Sequence, residues 1–322
     1  MIQKVIRRIH RSIQRRINQR CAYDYPEENG GWKKNTQNPV LGDDSTGSMF
    51  DPFVRFVDNQ FVMCVSRRMN HTLEFYYSQD GVRWGERIVV LSGIADSQWE
   101  SEVNRGCFLL RNGRWYLWYT GQHEGKSNIG LATSDDGKTF HRNGMLPVLS
   151  PEYPFEGVAV MNPCVLWNEE RQVFQMWYAA GENYEPDVIC YAESADGIAW
   201  KKNSEPIVTA CEDKKYQKEK VGACDILKLP NGQYCMAYIA YENMNVARIA
   251  LAYSEDGVRN WIPDENNPIL APTRGSWDRH SVYKPTMYLD PQTHQMMIWY
   301  NGRRNHSERI GAAILENKDD SL

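Results

Sequence analysis

Short runs of apolar and aromatic residues recur along the chain, and four of them end in the same polar turn followed by an aromatic residue. Each copy begins with Ser-x-Asp-Gly, and the copies occupy residues 78–84, 134–140, 194–200 and 254–261. Asp-Gly favours a tight hairpin turn because glycine tolerates positive φ, and the aromatic residue can anchor the next strand. The spacing of about 60 residues suits a repeating unit of four β-strands.

A second strand precedes each turn, and it also occurs once without the turn. The five copies lie at residues 61–65, 115–119, 174–178, 234–238 and 296–300. The fifth unit stops after residues 310–314, whereas residues 31–41 resemble residues 199–208. We therefore predict an all-β fold, a five-bladed β-propeller in which residues near 32–41 supply the outer strand of the last blade and close the ring.

The repeat predicts one propeller domain over residues 30–316, preceded by a distinct segment at residues 1–22. Within residues 1–20 the chain has seven basic side chains and no acidic one, although its net charge is −4. Ile2, Val5, Ile6, Ile9, Ile13 and Ile17 fall at helical spacing. Such a basic amphipathic helix can lie on an anionic membrane surface, dock on the propeller or a partner subunit, or be disordered. Nucleic acid is not expected as a partner, because the rest of the chain is acidic.

The cysteines and the apolar runs bear on location and cofactors. No apolar run approaches transmembrane length, and the start lacks the apolar stretch of a secretory signal. We therefore expect a cytoplasmic protein, membrane-associated if the basic helix binds lipid, with its eight cysteines as free thiols. No cysteine pair or histidine has metal-ligand spacing, so neither a metal nor another cofactor is expected.

Candidate chemistry collects where the innermost strands begin, at one mouth of the predicted channel. Counting back from the second strands places Asp51, Arg105, Asn162 and Lys284 at one equivalent position. In the fourth unit this position falls on Cys224, and a bulge could bring the adjacent Asp225 inward. Charged residues facing a channel favour a wet, charged pocket. The structural alternative is that these are ordinary turn and strand-start residues around ordered water.

The neighbouring connections are rich in carboxylates and hydrogen-bonding side chains. The further acidic candidates are Glu102 and Glu156, and the further substrate-binding candidates in the loops are Arg67, Arg68, His123, Glu182 and Arg303. Guanidinium groups bind carboxylate or phosphate through two hydrogen bonds, which suits an acidic sugar, a sugar phosphate or phosphate itself. Alternatively, the arginines pair with the neighbouring acids.

The chain resembles the glycoside hydrolase superfamily that includes arabinanases and β-xylosidases of family 43, invertases and levansucrases, and mannoside phosphorylases. The repeated turn and the opening WKKNTQNPVL … FDPFV carry this resemblance, which covers nearly the whole chain after residue 30. It implies that Asp51 is a general base. Asn162 stands where family 43 has a third-blade aspartate, and the fourth blade has no glutamate at the place of the family's general acid.

Cleavage of a glycosidic bond needs an acid at the leaving oxygen and a carboxylate on the opposite side. We predict Asp51 as base or nucleophile, with Asp225, then Glu102, then Glu156 as candidates for the acid. The predicted function is thus a glycoside hydrolase-like enzyme acting on oligosaccharide or polysaccharide. A phosphorylase or glycosyltransferase on the same scaffold is a second possibility, encouraged by the cationic loops. A non-catalytic sugar-binding propeller is a third, favoured if Asp51 is held in a structural salt bridge.

Overall fold

The computed structural model describes residues 13–43, 45–182 and 186–316. The regular secondary structure of the described residues is mostly strand, from β1 (Trp32–Lys34) to β20, and it forms four-stranded antiparallel units. The first unit comprises β2 (Met49–Val57), β3 (Gln60–Arg67), β4 (Thr72–Ser78) and β5 (Arg87–Ser92). The second comprises β6 (Glu102–Arg111), β7 (Arg114–His123), β8 (Lys126–Ser134) and β9 (His141–Arg142).

The later units repeat this order. The third comprises β10 (Ala159–Asn168), β11 (Val173–Gly181), β12 (Val188–Ser194) and β13 (Lys201–Lys202). The fourth comprises β14 (Lys220–Lys228), β15 (Tyr234–Asn243), β16 (Val246–Ser254) and β17 (Ile262–Pro263). The fifth comprises β18 (Ser281–Leu289), β19 (Met296–Arg304) and β20 (Ser307–Leu315). The prediction of an all-β fold is therefore confirmed.

Strand β1 comes from the start of the chain and pairs with β20 at its end. Trp32 lies opposite Leu315, and Lys34 lies opposite Ala313 in an antiparallel register. The pairing extends along the chain, because the N–H of Val40 donates to the carbonyl of Ile310 at 2.9 Å. Residues 32–34 thus become the fourth strand of the fifth unit, where their sequence likeness to residues 200–202 places them.

The first strands of the units, β2, β6, β10, β14 and β18, contact one another in order, and β18 also contacts β2. The second and third units are joined further by a single parallel pair, Ala159 and Ser127, into one eight-stranded sheet. Between the units lies a core of aromatic and aliphatic side chains, in which Trp118, Trp177 and Trp299 are fully buried. Neighbouring sheets pack face to face because each has an apolar face that must be buried against another element.

The predicted basic helix lies partly outside the described residues, which begin at residue 13. Residues 13–18 are helical and continue into a 3-10 helix at Gln19–Tyr23; further 3-10 helices lie at Pro154–Glu156 and Lys215–Gln217. Ile13 and Ile17 are exposed. None of the helices within the described ranges has the length and apolar character needed to cross a membrane. All eight cysteines of the sequence are free thiols.

Candidate active site

Every first strand carries a bulge near its beginning, and the first residue of each bulge has a left-handed backbone. These residues are Asp51 (φ 59°), Arg105 (φ 40°), Asn162 (φ 56°), Ala223 (φ 36°) and Lys284 (φ 51°). A bulge sets two residues against one and redirects the side chain. Because Ala223 shares the conformation without a functional group, the bulge belongs to the fold, and the site uses it.

The prediction of Cys224 as the fourth-unit equivalent is wrong by one residue. Gly222 pairs with Ile239 and Asp225 pairs with Ala237, so the bulge begins at Ala223. A shift of one residue along a strand moves a side chain to the other face. Ala223 and Cys224 are both buried, and the fourth unit contributes no polar side chain at the first position of its bulge.

A pocket of about 250 Å³ opens beside these bulges. Its charged lining residues are three acids and three bases, namely Asp51, Glu102, Glu308, Arg68, Lys284 and Arg303. Its other lining residues come from all five units and are Phe50, Asn104, Thr120, Gln122, Met161, Asn162, Pro186, Tyr241, Met244, Ala247, Ser281 and Tyr283. The formal charges of the pocket lining therefore balance.

Asp51 lies at the buried end of this pocket. Its side chain is fully buried and forms an ion pair with the ammonium group of Lys284, whose side chain is 18% exposed. The N–H of Asp51 donates to Asn301 Oδ1 at 2.8 Å, which fixes the bulge. Both partners of the ion pair line the pocket, so the pair faces the pocket. An ammonium group balances the carboxylate's charge in this low-dielectric position.

Asn162 and Arg303, which were predicted from the sequence as substrate-binding residues, also line the pocket. Asn162 lines it, and its N–H donates to Thr120 Oγ1 at 2.8 Å. Arg303 lines it as well, and its Nη2 donates to Ser281 Oγ at 3.1 Å. A carboxamide and a guanidinium offer the hydrogen-bond donors that sugar hydroxyls and anionic groups accept.

Glu308 is a pocket carboxylate that the sequence analysis did not single out. It accepts a hydrogen bond from the hydroxyl of Tyr283, and Arg68 Nη2 lies 3.1 Å from its Oε2. Burial, and then the neighbouring charge of Glu308, raise the pKa of Tyr283 well above its usual value. The signal in the sequence was that Glu308 follows a cationic loop closely; in the structure it is the second residue of β20 and lies opposite Arg303.

Glu102 lies at the more open side of the pocket. Its side chain is 41% exposed, and its Oε2 lies 3.8 Å from His71 Nδ1. Beside it, the amide group of Asn104 donates to Gln122 Oε1, and Gln122 Nε2 donates to Ser127 Oγ at 3.1 Å. The amides of Asn104 and Gln122 are therefore pre-positioned by each other, and neither was predicted as a site residue.

Asp225 does not join Asp51 in the pocket. It is fully buried and accepts hydrogen bonds from Arg55 Nη2 at 2.8 Å, Thr286 Oγ1 at 2.9 Å and the N–H of Met287 at 2.7 Å. Burial by itself would raise its pKa, but the charge and hydrogen bonds of Arg55 outweigh burial and lower the pKa below the usual value. Such an aspartate is held ionised, which is the opposite of what a proton donor needs.

Glu156 is likewise held in an ion pair away from the pocket. Its carboxylate lies 2.8 Å from Lys202 Nζ and accepts from the hydroxyl of Tyr178 at 2.8 Å. Burial acts to raise its pKa, but the hydrogen bonds from Lys202 and from backbone N–H groups lower it overall. Glu156 thus connects the 3-10 helix that ends at this residue with Lys202 on β13.

Arg105 was predicted to approach the mouth, but it runs along the centre of the molecule. It is fully buried, and its guanidinium donates to the carbonyls of Pro52 at 3.0 Å, Cys224 at 3.3 Å and Pro285 at 3.2 Å. These carbonyls belong to three different first strands. Arg105 therefore ties first strands together beneath the pocket.

The remaining loop candidates lie outside the pocket lining. Arg67 Nε lies 4.0 Å from the buried carboxylate of Glu74. His123 Nδ1 lies 3.0 Å from Ser101 Oγ, and Glu182 is exposed. Within the described ranges, no group of three or more histidine, cysteine, aspartate or glutamate side chains is placed to hold a metal ion.

Comparison with known proteins shows what the sequence and the fold are similar to. The profile of the family described as "Glycosyl hydrolases family 32 N-terminal domain" matches residues 91–248. The structure of a thermostable family-43 glycoside hydrolase superposes with a TM-score of 0.71 at 18% identity, covering 88% of this chain and 94% of that one. The resemblance to the glycoside hydrolase superfamily is thereby confirmed, and with it a glycoside hydrolase-like fold.

The chain also has relatives that are similar to it in sequence. The 1,2-beta-oligomannan phosphorylase of Thermoanaerobacter sp. (strain X514) is 27% identical over 242 residues, which is 72% of this chain and 75% of that protein. An uncharacterized protein of Mycobacterium tuberculosis (strain H37Rv) is 28% identical over 214 residues, covering 62% of this chain and 67% of that protein. Relatives and structural neighbours thus include both a hydrolase and a phosphorylase.

Proposed function

We propose that the protein is a carbohydrate-active enzyme that cleaves a glycosidic bond in the pocket, with Asp51 as the base or nucleophile. The observation that carries this proposal is the buried carboxylate of Asp51 facing the pocket beside Lys284. It stands on the first strand of the first unit, where the resemblance implies the base. A carboxylate that faces the pocket is the kind of group that can accept a proton or attack an anomeric carbon.

Hydrolysis needs a second carboxylate as proton donor, and the pocket offers two. The carboxylate of Glu308 already has two partners, the guanidinium of Arg68 and the hydroxyl of Tyr283. Glu102 is partly exposed, and within the described ranges it forms no ion pair with a lysine or arginine. We therefore propose Glu102, the second of the acids predicted from the sequence, as the proton donor in a hydrolytic reaction.

Phosphorolysis is the second candidate, and the cations of the pocket favour it. Arg68, Lys284 and Arg303 line the same cavity as Asp51, where they could bind phosphate as the attacking group. The oligomannan phosphorylase relative supports the same alternative. In that reaction a single carboxylate suffices as the acid, since phosphate itself is the nucleophile.

Sugar binding without catalysis is the third candidate. It would be favoured if the ion pair of Asp51 with Lys284 served only to hold the structure together. We rank it below catalysis, because Lys284 is partly exposed and lines the pocket rather than locking Asp51 from the interior side. A sugar hydroxyl or a phosphate can compete for the ammonium group.

The architecture behind the proposal is a propeller. We propose that the five units are its blades and that β1 closes the ring on β20. The domain would span residues 30–316, with residues 1–22 as an appended segment. The contacts between successive first strands, and between β18 and β2, support a ring with the pocket at one mouth.

The experiment is turnover of aryl glycosides and oligosaccharides, with and without phosphate, by the wild type, Asp51→Asn and Asp58→Asn. We expect Asp51→Asn to lower the rate by about 10²–10⁴-fold, as for loss of an acid or base group. Asp58→Asn is the matched control, because Asp58 lies in the exposed turn after β2 and has a positive φ that asparagine tolerates.

The outcomes separate the three candidates. Release without phosphate that depends on Asp51 supports hydrolysis, and release only with phosphate supports phosphorolysis. If a sugar raises the melting temperature of wild type and Asp51→Asn alike, with no turnover by either, the catalytic proposal fails and sugar binding remains.

A further inference from the structure

A group of arginines lies at the rim of the pocket around His280. We call it the arginine rim and define it as Arg15, Arg279, Arg303 and Arg304. Arg303 lines the pocket itself, and Arg304 is exposed beside it at the end of β19. The rim therefore continues from the pocket onto the surface.

The N-terminal segment supplies part of the rim. Arg15 Nη2 donates to the carbonyl of Asn305 at 3.2 Å, in the loop between β19 and β20. Asn18 Nδ2 donates to Asn245 Oδ1 at 2.9 Å, in the loop between β15 and β16. These bonds seat the segment on the loops at the pocket mouth, although it is separated from them by more than half of the chain.

Arg279 and Arg303 are held in place by hydrogen-bond contacts near His280. Arg279 Nε lies 3.3 Å from His280 Nε2, and the hydroxyl of Tyr23 donates to the Arg279 carbonyl at 3.0 Å. Arg303 Nη2 donates to Ser281 Oγ, while its Nε is buried without a hydrogen-bond partner among the described residues. A buried donor without a partner is costly unless a ligand or water satisfies it.

The rim carries four positive charges. Within the described ranges, none of its four arginines forms an ion pair with a carboxylate, whereas Arg68 at the opposite wall is paired with Glu308. Burial of the ring and the charges of the four rim arginines together lower the pKa of His280 to about 4. His280 is thus neutral at neutral pH, and the positive potential comes from the arginines.

We propose that the arginine rim binds a phosphate group carried by the carbohydrate substrate, next to the pocket in which the glycosidic bond is cleaved. Unpaired guanidinium groups with free donors match the charge and the oxygens of a phosphomonoester. The position at the rim, rather than in the pocket, places the phosphate on a sugar beyond the reacting one. This inference rests on the proposed function and names the class of its substrate.

The test measures binding affinity and not turnover, so the inference about the rim can fail while the proposed function holds, and the reverse. Isothermal titration calorimetry would compare mannobiose with phosphorylated mannobiose, and with inorganic phosphate, on the full chain. We expect the phosphorylated sugar to bind about tenfold more tightly than the neutral one, as charge-assisted hydrogen bonds imply. Asp51→Asn should keep this preference even though it loses turnover.

The rim variant is Arg15→Gln/Arg279→Gln/Arg304→Gln, which leaves the pocket residue Arg303 in place. Its matched control removes three exposed positive charges near the opposite ends of the strands, Arg83→Gln/Lys138→Gln/Arg259→Gln. The rim variant should lose most of the preference, and the control should retain it. Arg304→Gln alone, at an exposed side chain, provides a partial loss if the triple variant does not fold.

Three results would overturn the inference. One is equal affinity of the wild type for the two sugars, and another is a preference that the rim variant retains. The third concerns the source of the phosphate, and it is binding of free phosphate to the rim as tightly as the phosphorylated sugar binds. Vesicles of phosphatidylcholine with and without phosphatidylglycerol complete the test, because rim-dependent binding to the anionic vesicles without a preference for the phosphorylated sugar would assign the rim to a lipid headgroup.

Discussion

At the scale of single residues, the molecule separates charges that hold it together from charges that face the pocket. Asp225 and Arg55 form an ion pair in the buried centre, and Arg105 bonds three backbone carbonyls close by. Asp51 and Lys284 form a similar pair at the bulges of β2 and β18, where both line the pocket. Arg105 has the same bulge position on β6, so the partners that a side chain finds, and not its position along the strand, decide whether it is structural or available to a ligand.

Replacing Asp225 with asparagine should destabilise the protein strongly. Breaking a buried ion pair on one side leaves the other charge uncompensated, at a cost of about 3–5 kcal/mol in the free energy of unfolding. Urea unfolding at pH 7 would measure it, with the exposed Asp135→Asn as the control. A loss no larger than that of the control would contradict the structural role of Asp225.

The stabilisation by Asp225 should also depend on pH. Since its pKa is lower in the folded protein than in the unfolded chain, the contribution is present above about pH 4 and is lost as the pH falls further. The difference in stability between the wild type and Asp225→Asn should therefore shrink below about pH 4. A difference that stays constant as the pH falls well below 4 would show that the ionised form is not favoured.

The sequence predicted the position of single residues better than their surroundings. Counting along strands found Asp51, Asn162 and Lys284, because the spacing from the second strands is regular. It could not tell that Asp225 meets Arg55, since that contact joins two strands that lie 170 residues apart in the chain. Glu308 was missed for the same reason, because its partner Arg68 comes from the first unit.

At the scale of elements, the repeated turn is a complete local hydrogen-bonding unit. In the second copy, Ser134 Oγ accepts from the N–H of Gly137 at 3.0 Å, and Asp136 Oδ1 accepts from the N–H groups of Lys138 and Thr139 at 2.8 and 2.7 Å. These backbone hydrogen bonds lower the pKa of Asp136. Such contacts lie within a few residues, which is why the motif could be interpreted from the sequence.

The turn also connects neighbouring units, which the motif did not reveal. The indole N–H of Trp118 donates to the carbonyl of Gly197 at 3.0 Å, and that of Trp177 to Gly257 at 2.7 Å. Trp299 of the fifth unit donates to the carbonyl of Gly81 in the first at 2.7 Å. A tryptophan on a second strand thus holds the turn of the next unit.

Trp299→Phe tests this connection where it joins the two ends of the repeat. The variant removes the hydrogen bond and leaves a small cavity, so we expect a loss of about 1–3 kcal/mol in the free energy of unfolding. Trp261→Phe is the matched control, because the indole nitrogen of Trp261 is buried without a hydrogen-bond partner among the described residues. Equal losses in thermal unfolding would mean that only ring volume matters.

At the scale of the whole molecule, the pocket exists because several units meet. Its lining is drawn from all five, so no single repeat contains the site. The repeat was visible in the sequence because each unit satisfies its own turns and strands. The lining was only partly predictable, because it depends on which loop side chains find partners elsewhere, as Arg67 does with Glu74.

Strand β1 is only three residues long, but we expect it to be important for the stability of the whole fold. Trp32 is buried, and Lys34 Nζ lies 2.7 Å from the buried carboxylate of Asp278. A protein that begins at residue 42 would lose both contacts and leave the edge of β20 unpaired. Exposed strand edges promote association, and an unpaired buried carboxylate costs several kcal/mol.

We therefore expect the protein that begins at residue 42 to melt at a much lower temperature than the full chain and to form oligomers on size-exclusion chromatography. A protein that begins at residue 26 keeps β1 and is the matched control. It loses the contacts of the N-terminal segment, such as those of the Cys21 carbonyl with Arg248 and of Tyr23 with Arg279, and its state of assembly should be that of the full chain. If both truncated proteins behave alike, the pairing of β1 with β20 is not what stabilises the arrangement of the five units, and the proposed closure of the ring would have to be abandoned.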